Sequence, residues 1–167
     1  MIDSFNGRWR FLSNFYPSVI EFQGIKYPTV EHYYVSMKIK TDQQLDGKNI
    51  TLIDCREMIS RMKDPVKVKQ LGKILKLRKD WDKIKLDTML WGVREKFKDQ
   101  DLRQLLIDTG EHEIVEGNNW GDKFWGVCGG VGENHLGKIL MKVREEVKQV
   151  DNKPSLEEFL FKKGFSK

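Results

Sequence analysis

The sequence contains few cysteines, and neither they nor the histidines form a recognisable site. Cys55 and Cys128 are the only cysteines in 167 residues, which is too few for a disulfide framework, and no Cys-x-x-Cys pair suggests zinc binding. The three histidines lack metal-ligand spacing, and no Ser or Cys lies in a known nucleophile motif. We therefore expect a protein with reduced thiols and no bound metal.

Long apolar segments are also missing. No uncharged apolar run approaches the roughly 18–20 residues that a membrane-spanning helix needs. The first residues, MIDSFNGRWRF, lack the charged-then-apolar layout of a signal peptide. These two absences predict a cytoplasmic protein with no membrane partner.

What is present indicates a globular protein. Hydrophobic residues make up 39% of the chain, charged residues 33% and aromatic residues 11%, which excludes a wholly disordered protein. The length favours one domain, which we predict over residues 1–150, followed by a C-terminal tail at 151–167.

The net charge of +5 is unevenly distributed. Residues 51–100 contain 14 Lys and Arg against 8 Asp and Glu, whereas residues 101–150 contain 6 against 9. Two interpretations remain open: the basic stretch attracts a polyanion or a phosphorylated substrate, or it is a solvated helix face. Its cations include Lys63, Lys67, Lys69, Lys73, Lys76, Arg78, Lys79, Lys83 and Lys85.

The periodicity predicts an α+β fold that is mostly helical with a small N-terminal β hairpin. The hairpin spans 19–28 around a Gly-containing turn, and a helix capped by Thr29 follows over 30–40. The stretch 46–49 is predicted as a loop, 113–116 as a short strand and the glycine-rich 117–132 as a structured loop. Further helices are predicted at 51–61, 65–76, 80–98, 100–108 and 134–149.

Two residues are oddly placed on their predicted helices. Glu31 lies in a first helical turn at the margin of the apolar stripe, so it either complements the helix dipole or is a partly desolvated carboxylate at a cleft. Trp81 lies about 140° from a core stripe that we predict at Leu86, Leu90, Val93 and Phe97. Either that helix is buried on two sides, or the indole faces a pocket.

The segment from Asn119 to Asn134 is the densest local signal. It combines two tryptophans, Asp122 and several glycines directly before a predicted helix, although its spacing fits neither a dinucleotide fingerprint nor a phosphate-binding loop. Such a loop favours a ligand site, because glycine lets backbone approach a ligand closely. Asn134 has a second interpretation as a helix N-cap.

Several blocks together resemble the NADAR (NAD and ADP-ribose) superfamily, which includes N-glycosidases that cleave riboflavin-biosynthesis intermediates. One departure is that Val127 stands where some members have aspartate after the second tryptophan, which leaves Asp122 as the only acid in the loop. The matching blocks are FLSNFY at 11–16, YPTVEHYY at 27–34, Lys38, RKDW at 78–81, Met89, 96–97, WGD at 120–122, WG at 125–126, GENHLGKILM at 132–141 and Arg144.

The resemblance implies hydrolysis of a ribosyl C–N bond without a metal or redox cofactor. It implies catalytic positions at Glu31, Trp81 and Asp122, of which Glu31 stabilises the sugar cation or activates water. Substrate-binding positions are implied at Asn14, Phe15, Lys38, Arg78, Trp125, Gly126 and Asn134, where Lys38 or Arg78 binds a phosphate.

Two substrates remain open within that interpretation: a phosphorylated riboflavin-pathway intermediate, and an ADP-ribosyl group on a nucleobase, on a nucleotide or within a nucleic acid. The basic 51–100 stretch favours the ADP-ribosyl substrate slightly. The alternatives from other classes are a non-catalytic module that binds ADP-ribose or NAD, and a basic helical nucleic-acid-binding module. The presence of both Glu31 and Asp122 favours an enzyme over the non-catalytic module, and only the charge surplus supports the nucleic-acid-binding module.

Overall fold

The computed structural model describes residues 1–151. A 3-10 helix over Gly7–Leu12 leads into the hairpin β1 (Ile20–Phe22) and β2 (Ile25–Tyr27), which is followed by the helix α1 (Val30–Met37). A second hairpin, β3 (Gln43–Leu45) and β4 (Lys48–Ile50), precedes four helices: α2 (Leu52–Arg61), α3 (Pro65–Leu71), α4 (Trp81–Lys96) and α5 (Gln100–Ile107). The described chain ends with β5 (Gly117–Asn118), β6 (Val127–Cys128) and α6 (His135–Asp151).

The predicted fold class is confirmed: helices dominate, and the strands form small two-stranded sheets. The N-terminal hairpin pairs antiparallel, with Ile20 opposite Tyr27. Both predicted helix starts with a capping side chain are also confirmed, because Thr29 accepts the His32 N–H at the start of α1 and Asp64 accepts the Val66 N–H at the start of α3. The predicted tail lies, beyond residue 151, outside the described residues.

Helix α1 occupies the centre, and all eight of its residues are buried. It packs against α2, α3 and α4, and it joins two hydrophobic clusters. The larger cluster gathers residues from the N-terminal segment, α4, α5 and α6, and the smaller one includes Val35 with residues of α2 and α3. A side chain on α1 is therefore fixed by packing from several directions.

The predicted core stripe of α4 is confirmed at Val93 and Phe97, which are buried, and is wrong at Leu86, because the buried face is rotated toward Met89 and Gly92. Leu86 is 38% exposed, whereas Met89, Gly92, Val93 and Lys96 are buried. Gly92 lets α4 approach α1 closely, since a Cβ at this position would lie 2.8 Å from the Tyr33 ring. Lys96 was not predicted as a core residue because lysine is usually exposed. Here its buried ammonium group donates to the Ser13 carbonyl at 2.7 Å. Trp81 lies on this true core face, being only 6% exposed.

One loop and one strand assignment also differ from the structure. The predicted loop at 46–49 is the turn and start of the second hairpin, where Asp46 and Gly47 both adopt positive φ, as a tight two-residue hairpin turn requires. The predicted strand at 113–116 is reduced to a single parallel bridge between Ile2 and Ile114. Strand pairing begins just after it, in the parallel pair of β5 and β6.

Candidate active site

A cavity of about 380 Å³ lies beside the start of α1. Three carboxylates line it, from Glu31, Glu116 and Asp122, together with four cationic side chains from Arg10, Lys38, Lys69 and Lys73. Its aromatic lining comes from Phe5, Phe15, Tyr16, Tyr34, Trp120 and Trp125, and Asn14 and Met89 also contribute. The cavity thus combines acids, cations and aromatic surface, which suits a ligand that carries hydroxyl, anionic and planar groups.

Glu31 is 8% exposed and lines the cavity from the first turn of α1. Its backbone N–H donates to the Asn14 carbonyl at 3.1 Å, which ties α1 to the segment after the 3-10 helix. Burial is the largest influence on its carboxyl group and raises its pKa to about 7; Lys69 and Lys38 lower it, and Asp122 raises it. This carboxyl group can exchange a proton near neutral pH.

We expect Glu31→Gln to stabilise the fold above pH 7. The pKa of Glu31 is higher in the folded than in the unfolded chain, so the folded state binds more protons and stability falls as pH rises from about 4.5 to 7. The cost is about 1.4 kcal/mol per pKa unit, or roughly 3–4 kcal/mol above pH 7. Urea unfolding at pH 5 and pH 8 measures the free energy of unfolding of the variant and the parent. If the two proteins differ by the same free energy at both pH values, the prediction is contradicted.

Asp122 is held by its own loop. Its Oδ1 accepts the N–H groups of Phe124 at 3.2 Å and Trp125 at 2.9 Å, and the Asn118 side chain bonds its backbone N–H and carbonyl. The second oxygen of Asp122 has no such backbone contact, so it is available to a ligand in the cavity.

Trp125 also lines the cavity and meets Tyr34 edge-on, with ring centroids 5.5 Å apart. Behind Tyr34 lies Trp81, at a centroid distance of 5.0 Å. Trp81 does not itself line the cavity, and it packs in the main hydrophobic cluster. The structure thus connects Trp81 to the site through Tyr34.

Asn14, Phe15 and Lys38, to which the resemblance assigns substrate binding, line the cavity. The Oδ1 atom of Asn14 is buried and has no hydrogen-bond partner in the described part of the chain, which leaves an acceptor for a ligand donor. Burial lowers the pKa of Lys38, while Glu31 raises it.

Arg78, Gly126 and Asn134 lie outside the cavity lining. Arg78 forms a double hydrogen bond with Asp80 at 2.6 and 2.8 Å. Gly126 permits close backbone packing, because a Cβ there would lie 2.2 Å from the Glu116 carbonyl oxygen. Asn134 adopts a positive φ of 52°, and its side-chain amide accepts the Glu116 N–H and donates to the Ile114 carbonyl, so both its oxygen and its nitrogen bond the backbone.

Sequence reasoning missed four residues that matter here: Tyr34, Lys69, Glu116 and Trp120. Lys69 was counted only as part of the basic stretch, but its ammonium group lies 5.3 Å from the Trp120 ring centroid and 6.0 Å from that of Phe15. Trp120 is 61% exposed, which is unusual for so large an apolar side chain. The signal that could have located Glu116 is its position directly before the glycine-rich segment.

The sequence and fold of the whole region match known proteins. The NADAR domain model matches residues 4–148, which is most of the chain. The protein belongs to the NADAR family. Among NADAR relatives, N-glycosidase Npun_R5314 of Nostoc punctiforme is 38% identical over 143 residues, covering 83% of this chain and 85% of its own.

Two further NADAR proteins extend the comparison. N-glycosidase YbiA of Escherichia coli is 35% identical over 139 residues, covering 81% of this chain and 79% of its own. The NMR structure of YbiA superimposes with a TM-score of 0.73 and 32% identity, covering 92% of this chain and 89% of YbiA. Riboflavin biosynthesis protein VVA0006 of Vibrio vulnificus is 36% identical over 143 residues, covering 83% of this chain but only 36% of its own length.

No helix within residues 1–151 is long and apolar enough to cross a membrane. In the same range, no group of three or more His, Cys, Asp or Glu side chains is placed to hold a metal ion.

Proposed function

We propose that this protein is an N-glycosidase that hydrolyses the C–N bond between a ribose and a nitrogenous group. The observation that carries the proposal is a buried carboxylate, Glu31, in a cavity that also holds Asp122 and four cationic side chains. Cleavage of a ribosyl C–N bond develops positive charge on the sugar, and a desolvated carboxylate stabilises that charge strongly. The two relatives named N-glycosidase support the same chemistry.

In this mechanism, each group that lines the cavity has a separate role. Glu31 takes a proton from water as the water oxygen bonds to the ribose C1′ and the C–N bond breaks. Asp122 accepts hydrogen bonds from ribose hydroxyls through its second oxygen, and Asn14 accepts one through its unpartnered Oδ1. Trp125 excludes water and contacts the leaving base.

The cations favour a phosphorylated substrate. Lys38, Lys69 and Lys73 all line one cavity, where they are placed to bind phosphate oxygens. The substrate is then either a phosphorylated ribosylamino intermediate of riboflavin biosynthesis or an ADP-ribosyl group on a nucleobase. We favour the second because Lys76 and Lys79, which are exposed and follow Lys73 in the sequence, offer further positive charge outside the cavity lining. A cytoplasmic location is part of the same proposal.

The deciding experiment measures base release from ADP-ribosylated guanosine and from riboflavin-pathway intermediates. Release of base from either substrate supports the N-glycosidase, and the faster reaction identifies the substrate class. Binding of ADP-ribose with no release from either substrate would instead support the non-catalytic binding module.

A polynucleotide substrate makes a further prediction about the basic surface. Lys76, Lys79 and Lys83 are exposed and do not line the cavity, so reversing all three to Glu should lower activity on an ADP-ribosylated polynucleotide at least ~10-fold and spare the free nucleotide. Each neutralised phosphate contributes about −0.9 to the slope of log K against log salt on duplex DNA and about −0.7 on single strands.

The matched control reverses Lys26, Lys48 and Lys138, which are equally exposed and give the same change in net charge. If activity on the polynucleotide changes neither with salt nor with reversal of Lys76, Lys79 and Lys83, these lysines do not bind phosphates of the substrate. That result would favour a small metabolite as the substrate.

A further inference from the structure

Glu116 is a second glutamate in the cavity, half-buried, to which the resemblance assigns no role. It precedes β5, lines the cavity, and is only partly exposed. Its Oε2 atom is buried and has no hydrogen-bond partner among residues 1–151. An unpaired buried carboxylate oxygen is costly, and the cost is smaller when the carboxyl group is protonated. The geometry therefore favours an acid form of Glu116.

The backbone of Glu116 is held by three contacts. Its N–H donates to Asn134 Oδ1 at 3.0 Å, and its carbonyl accepts the Val127 N–H at 2.8 Å. Gly126 packs directly against that carbonyl, where any side chain would collide. The side chain of Glu116 thus projects from a backbone with little freedom to move, as expected for a group whose position matters to a ligand.

The charges around the two acids differ. Burial is the largest cause that raises the pKa of Glu116, to about 7; Asp122 and Glu31 raise it too, and Lys69 alone lowers it. Two cations, Lys69 and Lys38, lower the pKa of Glu31. Two cations therefore favour the carboxylate form of Glu31, whereas one favours that of Glu116, so the proton is better placed on Glu116.

We propose that Glu116 is the general acid of the reaction and protonates the leaving nitrogen; this inference rests on the proposed function. As the C–N bond breaks, its electron pair passes to the nitrogen, which takes the proton of the Glu116 carboxyl group. The water oxygen bonds to C1′, and the proton that this water releases passes to Glu31. The balance is one water consumed, one C–N bond broken, and one proton moved from Glu31 to Glu116 through solvent before the next turnover.

Asp122 is less suited to this task. Two backbone N–H groups donate to its Oδ1, so this oxygen acts as an acceptor and is not placed to carry a proton. His32 is excluded as well, because its ring nitrogens contact the Thr29 hydroxyl at 2.7 Å and the Met62 carbonyl at 2.8 Å.

The test measures kcat/KM against pH for base release by the parent, Glu116→Gln and Glu116→Asp, with Glu113→Gln as the control. Glu113 is an exposed glutamate of the same segment that does not line the cavity. We expect Glu116→Gln to lose roughly 10²-fold and to lose the decline in rate at high pH, since no acid remains to be deprotonated. Glu116→Asp should recover part of the rate and keep that decline.

Two results would overturn the proposal: a Glu116→Gln rate within about threefold of the control, or an unchanged decline at high pH in this variant. Carboxyl ¹³C NMR of the parent, assigned with the same variants, provides a reading independent of turnover. Glu116 should hold its proton to a higher pH than Glu31, and the reverse order would also overturn the proposal. A parent that releases base from no ribosyl substrate would contradict the proposed function itself.

Discussion

Replacing Glu31 by Gln should reduce base release by at least ~100-fold while leaving the protein folded. The amide keeps the size and hydrogen-bonding capacity of the side chain but removes the negative charge that stabilises the sugar cation and accepts the proton from water. Burial increases the loss, because charge stabilisation is stronger in a desolvated site than in water. The measurement is single-turnover release of base at saturating enzyme.

The control for that variant is Glu21→Gln, which removes the same charge from an exposed position on β1. Its rate should match the parent, and its circular dichroism spectrum should match that of Glu31→Gln. Equal turnover by Glu31→Gln and the parent, on a substrate that the parent cleaves, would remove Glu31 from the mechanism and leave only a structural carboxylate beside a helix start.

Replacing Trp81 by Ala should cost roughly 3–5 kcal/mol in the free energy of unfolding. The indole is 6% exposed and lies in the main hydrophobic cluster, where it contacts Tyr34 at the inner side of the cavity. Its loss leaves a void, and Tyr34 is then free to shift away from Trp125. Chemical denaturation measures the stability, and turnover is measured under conditions where the variant is folded.

Trp120→Ala is the matched control, because Trp120 is 61% exposed and should contribute within about 0.5 kcal/mol to folding. Trp81→Phe should recover much of the lost stability by refilling the space. If Trp81→Ala keeps its stability and loses turnover, the indole acts in the chemistry, as the family resemblance implies. If stability falls and the folded fraction retains activity, Trp81 acts as a packing residue behind Tyr34.

Local sequence patterns predicted the helices and the first hairpin because the responsible interactions are local. Thr29 and Asp64 mark helix starts through their own side chains, and the Gly-containing turn sets the hairpin within a few residues. The predicted α4 stripe is correct at Val93 and Phe97 but omits Lys96, whose buried ammonium group donates to a carbonyl 83 residues away, that of Ser13. No periodicity of the helix itself contains that information.

The site was predicted in part for the same reason. The glycines and tryptophans of the segment before α6 predicted a ligand site there. The resemblance assigned catalytic roles to Glu31 and Asp122. Glu116 lies 85 positions after Glu31 in the sequence, and Lys69 lies on α3. Both line the cavity only because the tertiary fold brings them next to the start of α1. Asn134 precedes α6, and a local interpretation makes it a helix N-cap. Its side-chain oxygen instead accepts the backbone N–H of Glu116, 18 residues earlier in the sequence.

The complete burial of α1 has an evolutionary consequence. Residues that are packed on every side tolerate few substitutions, so the face that carries Glu31 can change only together with α2, α3 and α4. The other wall of the cavity is different, because Arg10, Lys73 and Trp120 are exposed and their replacement disturbs no core. Descendants of this chain can therefore acquire new substrates by exchanging these rim residues while the bond that they break stays the same.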